Sequence, residues 1–203
     1  MANFRAILSV SEAIRGILRS SYRSEEFNNS PLEFEIYTSN DFNVRTIQNG
    51  VTIFLYRIYI NGSNRSPAGR IGHDGRRQRS QLPLELHYLV TIWAQQYSLQ
   101  HSLAAWTMRI LEDNGLIHPA VLNAGGRNIF RAEETVELSL AEMRTEDLIR
   151  IWEVLGTNSY HLSIPYLARY VPVESIEHIP DADGPPVQDR VISYEKFPVV
   201  EDF

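Results

Sequence analysis

Two long apolar runs, Val51–Ile60 and Leu84–Ala94, constrain this chain more than any other feature. In the first, Val51, Ile53, Leu55 and Tyr59 alternate with Phe54, Tyr56, Ile58 and Ile60, so both faces are apolar. A strand with two apolar faces belongs in the interior of its sheet. In the second run, Leu84, Leu86, Tyr88, Val90 and Ile92 recur at a period of two and make one face. Between them lie residues 61–83, a stretch of 23 that far exceeds a hairpin turn. The expectation is a pair of antiparallel central strands bridged by a long insertion.

Other elements fall on either side of this pair. Phe4, Ile7, Leu8, Ser11, Ile14, Ile17 and Leu18 make one face of a helix spanning about Phe4–Ser20. Phe34–Tyr37 reads as a short strand. A helix over Leu99–Asn114 has Ser98 as its cap, Leu99, Leu103, Trp106 and Ile110 as its face, and Gly115 at a left-handed C-terminal position. Val136–Ala141 is a strand. Thr145 then caps a helix that carries Glu146 and Asp147 in its first turn and Leu148, Ile151, Trp152 and Leu155 as its stripe. A last strand pair covers Leu162–Glu177, and Pro165 and Pro172 assign it to the sheet edge. The fold class is therefore α+β, with a central, mostly antiparallel sheet flanked by helices. One domain spans residues 1–179, with residues 61–83 as an insertion, and an extended proline-containing tail follows from 180 to 203.

Composition narrows the chemistry. With 203 residues, 43% hydrophobic and 22% charged, the chain is an ordinary globular one with a sizeable core. It has no cysteine, which excludes disulfides, thiolate metal sites, iron–sulfur clusters and a cysteine nucleophile. The Leu86–Met108 stretch lacks Asp, Glu, Lys and Arg, but Gln95, Gln96, Gln100 and His101 interrupt it and argue against a membrane span. The N-terminal residues contain Glu12 and Arg15 rather than a bare apolar signal, so a soluble, cytoplasmic protein is expected.

Charge is segregated. Of the 18 arginines, Arg65, Arg70, Arg76, Arg77 and Arg79 fall in the insertion, opposed there by Asp74 alone. From Glu174 to Phe203 there are eight acids and two bases, so this end carries the whole formal net charge of −6. Both segments are candidate contact surfaces, with Tyr194, Phe197 and Phe203 as apolar anchors in the tail.

No strong catalytic or cofactor motif is present. Gly69, Gly72 and Gly75 have the wrong spacing for a dinucleotide fingerprint, and Asp181–Gly184 lacks the rest of a calcium loop. The six histidines share no metal-ligand spacing, and no cofactor is expected. Glu85 and His87, two apart on one strand face, are an acid/base alternative that implies a small enzyme. The arginine insertion leaves open a nucleic-acid accessory role, although it contains no aromatic residue for base stacking.

The run Leu82-Pro83-Leu84-Glu85-Leu86-His87-Tyr88-Leu89-Val90-Thr91 resembles the His-Tyr strand of the tail-terminator, or tube-capping, family of extracellular contractile injection systems. Pro119–Leu122, Glu146–Leu148 with Ile151-Trp152, and Tyr160, Ser163 and Tyr166 are similar to further blocks of that family. Val10, Ile14 and Leu18 fit its N-terminal helix. The resemblance spans roughly residues 4–178. It implies a tail-terminator-like fold and a non-enzymatic structural role. The expected form is a hexameric ring ending the inner tube and touching the last sheath layer of a phage-tail-like particle. The implied partners are tube protein, sheath protein and further copies of the chain, with no nucleic acid and no membrane insertion.

Overall fold

The computed structural model describes residues 3–44, 47–62, 70–71, 77–126, 128–155 and 160–175. The two apolar runs become β2 (Gly50–Ile60) and β5 (Leu82–Trp93), paired antiparallel as their patterns require. With β1 (Glu33–Tyr37), β6 (Leu116–Ile117), β7 (Val136–Leu140) and β8 (Ser163–Val173) they form a sheet ordered β1-β2-β5-β8-β7-β6. Only β1 against β2 is parallel, so the sheet is mostly antiparallel.

The core occupies both faces of this sheet. On one face, Leu84, Leu86, Tyr88, Val90 and Ile92 of β5 pack with α1 (Ala6–Ser21), α3 (Tyr97–Asp113) and α4 (Pro119–Leu122). On the other, Leu89 and Trp93 meet Phe42 of α2 (Asp41–Val44) and Trp152 and Leu155 of α5 (Thr145–Leu155). Residues i and i+2 of β5 thus serve one core and the intervening positions the other, as strand geometry dictates. Two buried polar pairs tie the elements together: Trp93 Nε1 of β5 donates to Thr52 Oγ1 of β2 at 2.9 Å, and the hydroxyls of Tyr88 on β5 and Ser11 on α1 lie 3.0 Å apart.

Several local expectations are corrected. β8 is one interior strand, not an edge pair: β5 pairs with it from Ser163 to Val173, and β7 pairs with its other side over Tyr166–Arg169. Pro165 and Pro172 flank that doubly paired stretch, so neither proline removes a donor from its middle. In α1 the buried set is Ala6, Ser9, Val10, Ser11, Ala13, Ile14, Ile17 and Leu18, whereas Phe4 is 64% and Leu8 54% exposed. The small residues let the helix sit close to the sheet, and that rotates Phe4 and Leu8 outward. α3 starts at Tyr97 behind an uncapped Gln96, so Ser98 lies inside its first turn. Thr145 likewise begins α5. Gly115 is not left-handed; a Cβ there would stand 3.3 Å from the Glu112 and Leu138 carbonyl oxygens, and close approach to β7 is what requires glycine.

Candidate functional site

The loop-bearing end of the sheet gathers the features singled out in the sequence. β1 covers β2 only from Gly50 to Phe54, and beyond it β2 continues to Ile60 alongside β5 alone among the described strands. Leu55 pairs with Tyr88 but Arg57 with His87, so Tyr56 is an extra residue on β2, a β-bulge. The bulge resets the alternation. Ile58 and Ile60 oppose Leu86 and Leu84 and join the face of Val51, Ile53 and Leu55, while Tyr59 moves to the face of Phe54. The expectation of a β2 buried on both sides along its length is corrected: Ile58 is 47% and Ile60 51% exposed, in the half of β2 that lies beyond β1.

On the other face a small aromatic and charged cluster forms. The Arg57 guanidinium lies 3.7 Å from the Tyr59 ring centroid, a cation–π contact. His87 stands edge-on to both Tyr56 and Tyr59, at 5.9 and 5.5 Å between centroids. Burial lowers the His87 pKa, the neighbouring Arg57 charge lowers it further, and Glu85 opposes both. The imidazole is therefore neutral near pH 7, and its buried Nε2 has no hydrogen-bond partner. Glu85 accepts instead from Asn61 Nδ2 at 3.0 Å, tying the end of β2 to β5. Among the described residues no hydrogen bond joins Glu85 to His87, so the acid/base pair suggested by their spacing is not assembled. His87 is a packing residue under two tyrosines.

The insertion leaves from this end. Part of it is a two-stranded antiparallel ribbon, β3 (Arg70–Ile71) with β4 (Arg77–Gln78), in which Arg70 opposes Gln78 and Ile71 opposes Arg77. Arg70 and Arg77 are thus on paired backbone, and Arg79 follows as an exposed residue. Arg65 and Arg76 lie outside the described residues, as do the tail anchors Tyr194, Phe197 and Phe203 and the stretch Asp181–Gly184. β8 ends beside the start of β5, where Val173 opposes Leu82. The tail therefore departs from the same end of the sheet as the insertion. Among the described residues no group of His, Asp and Glu could hold a metal ion, and no helix is long and apolar enough to cross a membrane.

Residues 9–189 match the Pvc16 N-terminal domain family. The chain belongs to that family. Two solved structures are similar to it in fold. One is a chain in the cryo-EM structure of an extracellular contractile injection system, the PVC sheath/tube terminator in extended state. It is 20% identical, with a TM-score of 0.60, over 96% of this chain. The other is a chain in the cryo-EM structure of the anti-feeding prophage cap, a tube terminating cap. It is 17% identical, with a TM-score of 0.59, over 91% of this chain. The present chain spans 65% and 60% of the length of those two chains. No curated protein sequence matches it. The fold of the Pvc16 N-terminal domain is thus the tail-terminator-like α+β fold inferred from the His-Tyr strand, and its structural neighbours are terminator and cap proteins of contractile injection systems.

Sequence reasoning missed one group of residues. Arg5, Arg15 and Arg19 line a cleft along the outer side of α1. The signal was present in the spacing of Arg15 and Arg19, one helical turn apart, with Gly16 beside them. It was obscured because Phe4 and Leu8 on the same helix were assigned to the core.

Proposed function

We propose that this domain is the structural cap of a contractile injection system: a ring, six-membered by the family resemblance, that ends the inner tube and contacts the last sheath layer. The observation that carries this is the family match over residues 9–189, together with a fold shared with a tube terminating cap. The geometry supports it. The sheet end from Arg57 to Ile60 lies beyond β1, presents exposed Ile58, Tyr59 and Ile60, and carries the arginine-bearing insertion. A strand edge that is unpaired among the described strands and carries apolar side chains is a surface on which another chain can add. A closed ring needs two different complementary patches per subunit, and a basic insertion with an acidic tail supplies opposite charges for them. The protein works without catalysis or cofactor in this account, inside a phage-tail-like particle assembled in the cytoplasm.

The decisive experiment is genetic. Particles from a strain lacking this chain are imaged and their tube lengths scored against the parent. The cap reading expects tubes of uncontrolled length or sheaths that detach. Particles of parental length with intact sheath would overturn it.

A further inference from the structure

The cleft on α1 has features that the fold of one chain does not explain. It runs between the outer side of α1 and the α4 segment, encloses about 430 Å³, and is lined by Arg5, Leu8, Arg15, Gly16, Arg19 and Val121. Its single acid, Glu12, pairs with Arg15, so the cleft retains net positive charge. Its rim is apolar, since Leu8 and Val121 are both exposed and Phe4 stands exposed at the start of the same helix. A cleft that combines arginines with exposed apolar side chains suits an acidic peptide with hydrophobic anchors.

Two glycines in this cleft sharpen the point. Gly16 lies within α1, where glycine weakens a helix relative to alanine. A Cβ built on Gly16 meets nothing within 4 Å, and the same holds for Gly125 across the cleft. Neither glycine has a left-handed backbone that would demand it. Nothing within the described chain therefore requires a bare backbone at either place, whereas close approach by another backbone would.

We infer that the cleft receives the C-terminal segment of a neighbouring copy, residues 176–203. This segment has seven acids against Arg190 and Lys196, matching the cleft in sign. Ile192, Tyr194, Phe197, Val200 and Phe203 supply apolar anchors at short intervals. Four prolines disfavour a helix there and favour an extended peptide, the shape a narrow cleft accepts. Its 28 residues reach up to about 90 Å when extended, enough to cross to an adjacent subunit. Each subunit then donates one tail and receives one, a head-to-tail contact that closes in a ring. The choice of a neighbouring copy rests on the ring proposed above.

The cysteine-free sequence gives a clean test in the intact 203-residue chain. Gly16→Cys and Val200→Cys are made in separate chains, mixed and oxidised, and the products run without reductant. A covalent dimer is expected, and Arg15→Glu with Arg19→Glu should reduce its yield several-fold. Glu153→Cys, exposed on α5 over the other sheet face, serves as the control partner. Equal cross-linking to that control, or none to Gly16→Cys, overturns the inference. A chain bearing both cysteines that closes only on itself overturns the neighbouring copy as donor. Sedimentation of the same mixtures separates the two proposals: a ring without cross-linking refutes the cleft alone, and a monomer without cross-linking refutes both. As a second variant, Gly16→Leu fills the cleft. It should keep or raise the melting temperature while abolishing the cross-link between Val200→Cys and a thiol placed at Arg19→Cys. An undiminished cross-link would sink the idea.

Discussion

The Arg131 guanidinium lies 3.2 Å from the Glu174 carboxylate where β8 ends, with 19% and 6% of the two side chains exposed. Gln81 Nε2 donates to the same carboxylate at 2.9 Å. Three chain segments thus converge on one buried anion: the approach to β5, the stretch before β7, and the exit of β8. Glu174, counted by composition among the acids of the tail, is instead built into the domain.

Removing the arginine alone takes the ion-pair partner from that carboxylate and leaves it the Gln81 hydrogen bond. Arg131→Leu should cost about 3 kcal/mol in urea unfolding, the usual penalty for breaking a buried ion pair by removing one partner. Arg131→Leu combined with Glu174→Leu should recover much of that loss, because the desolvated charge disappears with its partner. A single variant as stable as the parent would show that the pair is solvated and unimportant.

Gly50 begins β2 opposite Glu33, and a Cβ there would stand 2.1 Å from the Glu33 carbonyl oxygen. The obstacle is backbone rather than a movable side chain, so Gly50→Ala must push β1 away. The expected cost is about 1–3 kcal/mol, in the range of overpacking. Gly16→Ala, with open space around it, should be neutral or stabilising. Thermal unfolding should therefore show a lowered melting temperature for Gly50→Ala and no lowering for Gly16→Ala.

What the sequence disclosed follows from which patterns are local. The period-two faces of Leu84–Ile92 and the stripe of Leu148, Ile151, Trp152 and Leu155 identified both cores, because each element reports its own burial. Sheet order is not local. Pro165 and Pro172 argued for an edge, yet β8 is interior, and only the short length of β7 reconciles them. The bulge at Tyr56 was also hidden, since one inserted residue inverts the facing of Ile58 and Ile60 without breaking an all-apolar run. At the candidate site, spacing placed Glu85 and His87 on one face correctly. It could not foresee that Asn61 would take the carboxylate and that Tyr56 and Tyr59 would flank the ring.

Two histidines set an acid limit on stability. Burial lowers the pKa of His161, whose ring lies 4.2 Å from Trp93 and 5.3 Å from Trp152, and burial and Arg57 lower that of His87. Each folded value lies below the unfolded value near 6.5. Between those values the unfolded chain binds more protons, so stability rises with pH through that window and falls on acidification below about 6.5. The urea midpoint should drop between pH 7.5 and pH 5.5. His87→Gln should flatten part of that slope. An unchanged slope would place the titration elsewhere.

The exposed sheet end and the insertion can be separated by salt. Arg76→Gln, Arg77→Gln and Arg79→Gln together should leave the unfolding free energy within about 0.5 kcal/mol, on the expectation that the insertion contributes nothing to the fold. If these arginines meet an acidic surface, parental assembly weakens as salt rises through the range where Debye screening sets in. The triple variant should then assemble as poorly at low salt as the parent does at high salt, with little further dependence. Ile58→Lys with Ile60→Lys addresses the strand edge instead. Both side chains are about half exposed, so the fold should tolerate lysine while an apolar or strand-pairing contact would not. Its assembly defect should persist at every salt concentration, because the lost contact is not one of charge. Capping efficiency scored by electron microscopy at two ionic strengths reads both variants. If the arginine variant shows the parental salt slope, the insertion carries no assembly charge. If the isoleucine variant caps normally, the projecting end of β2 is free surface.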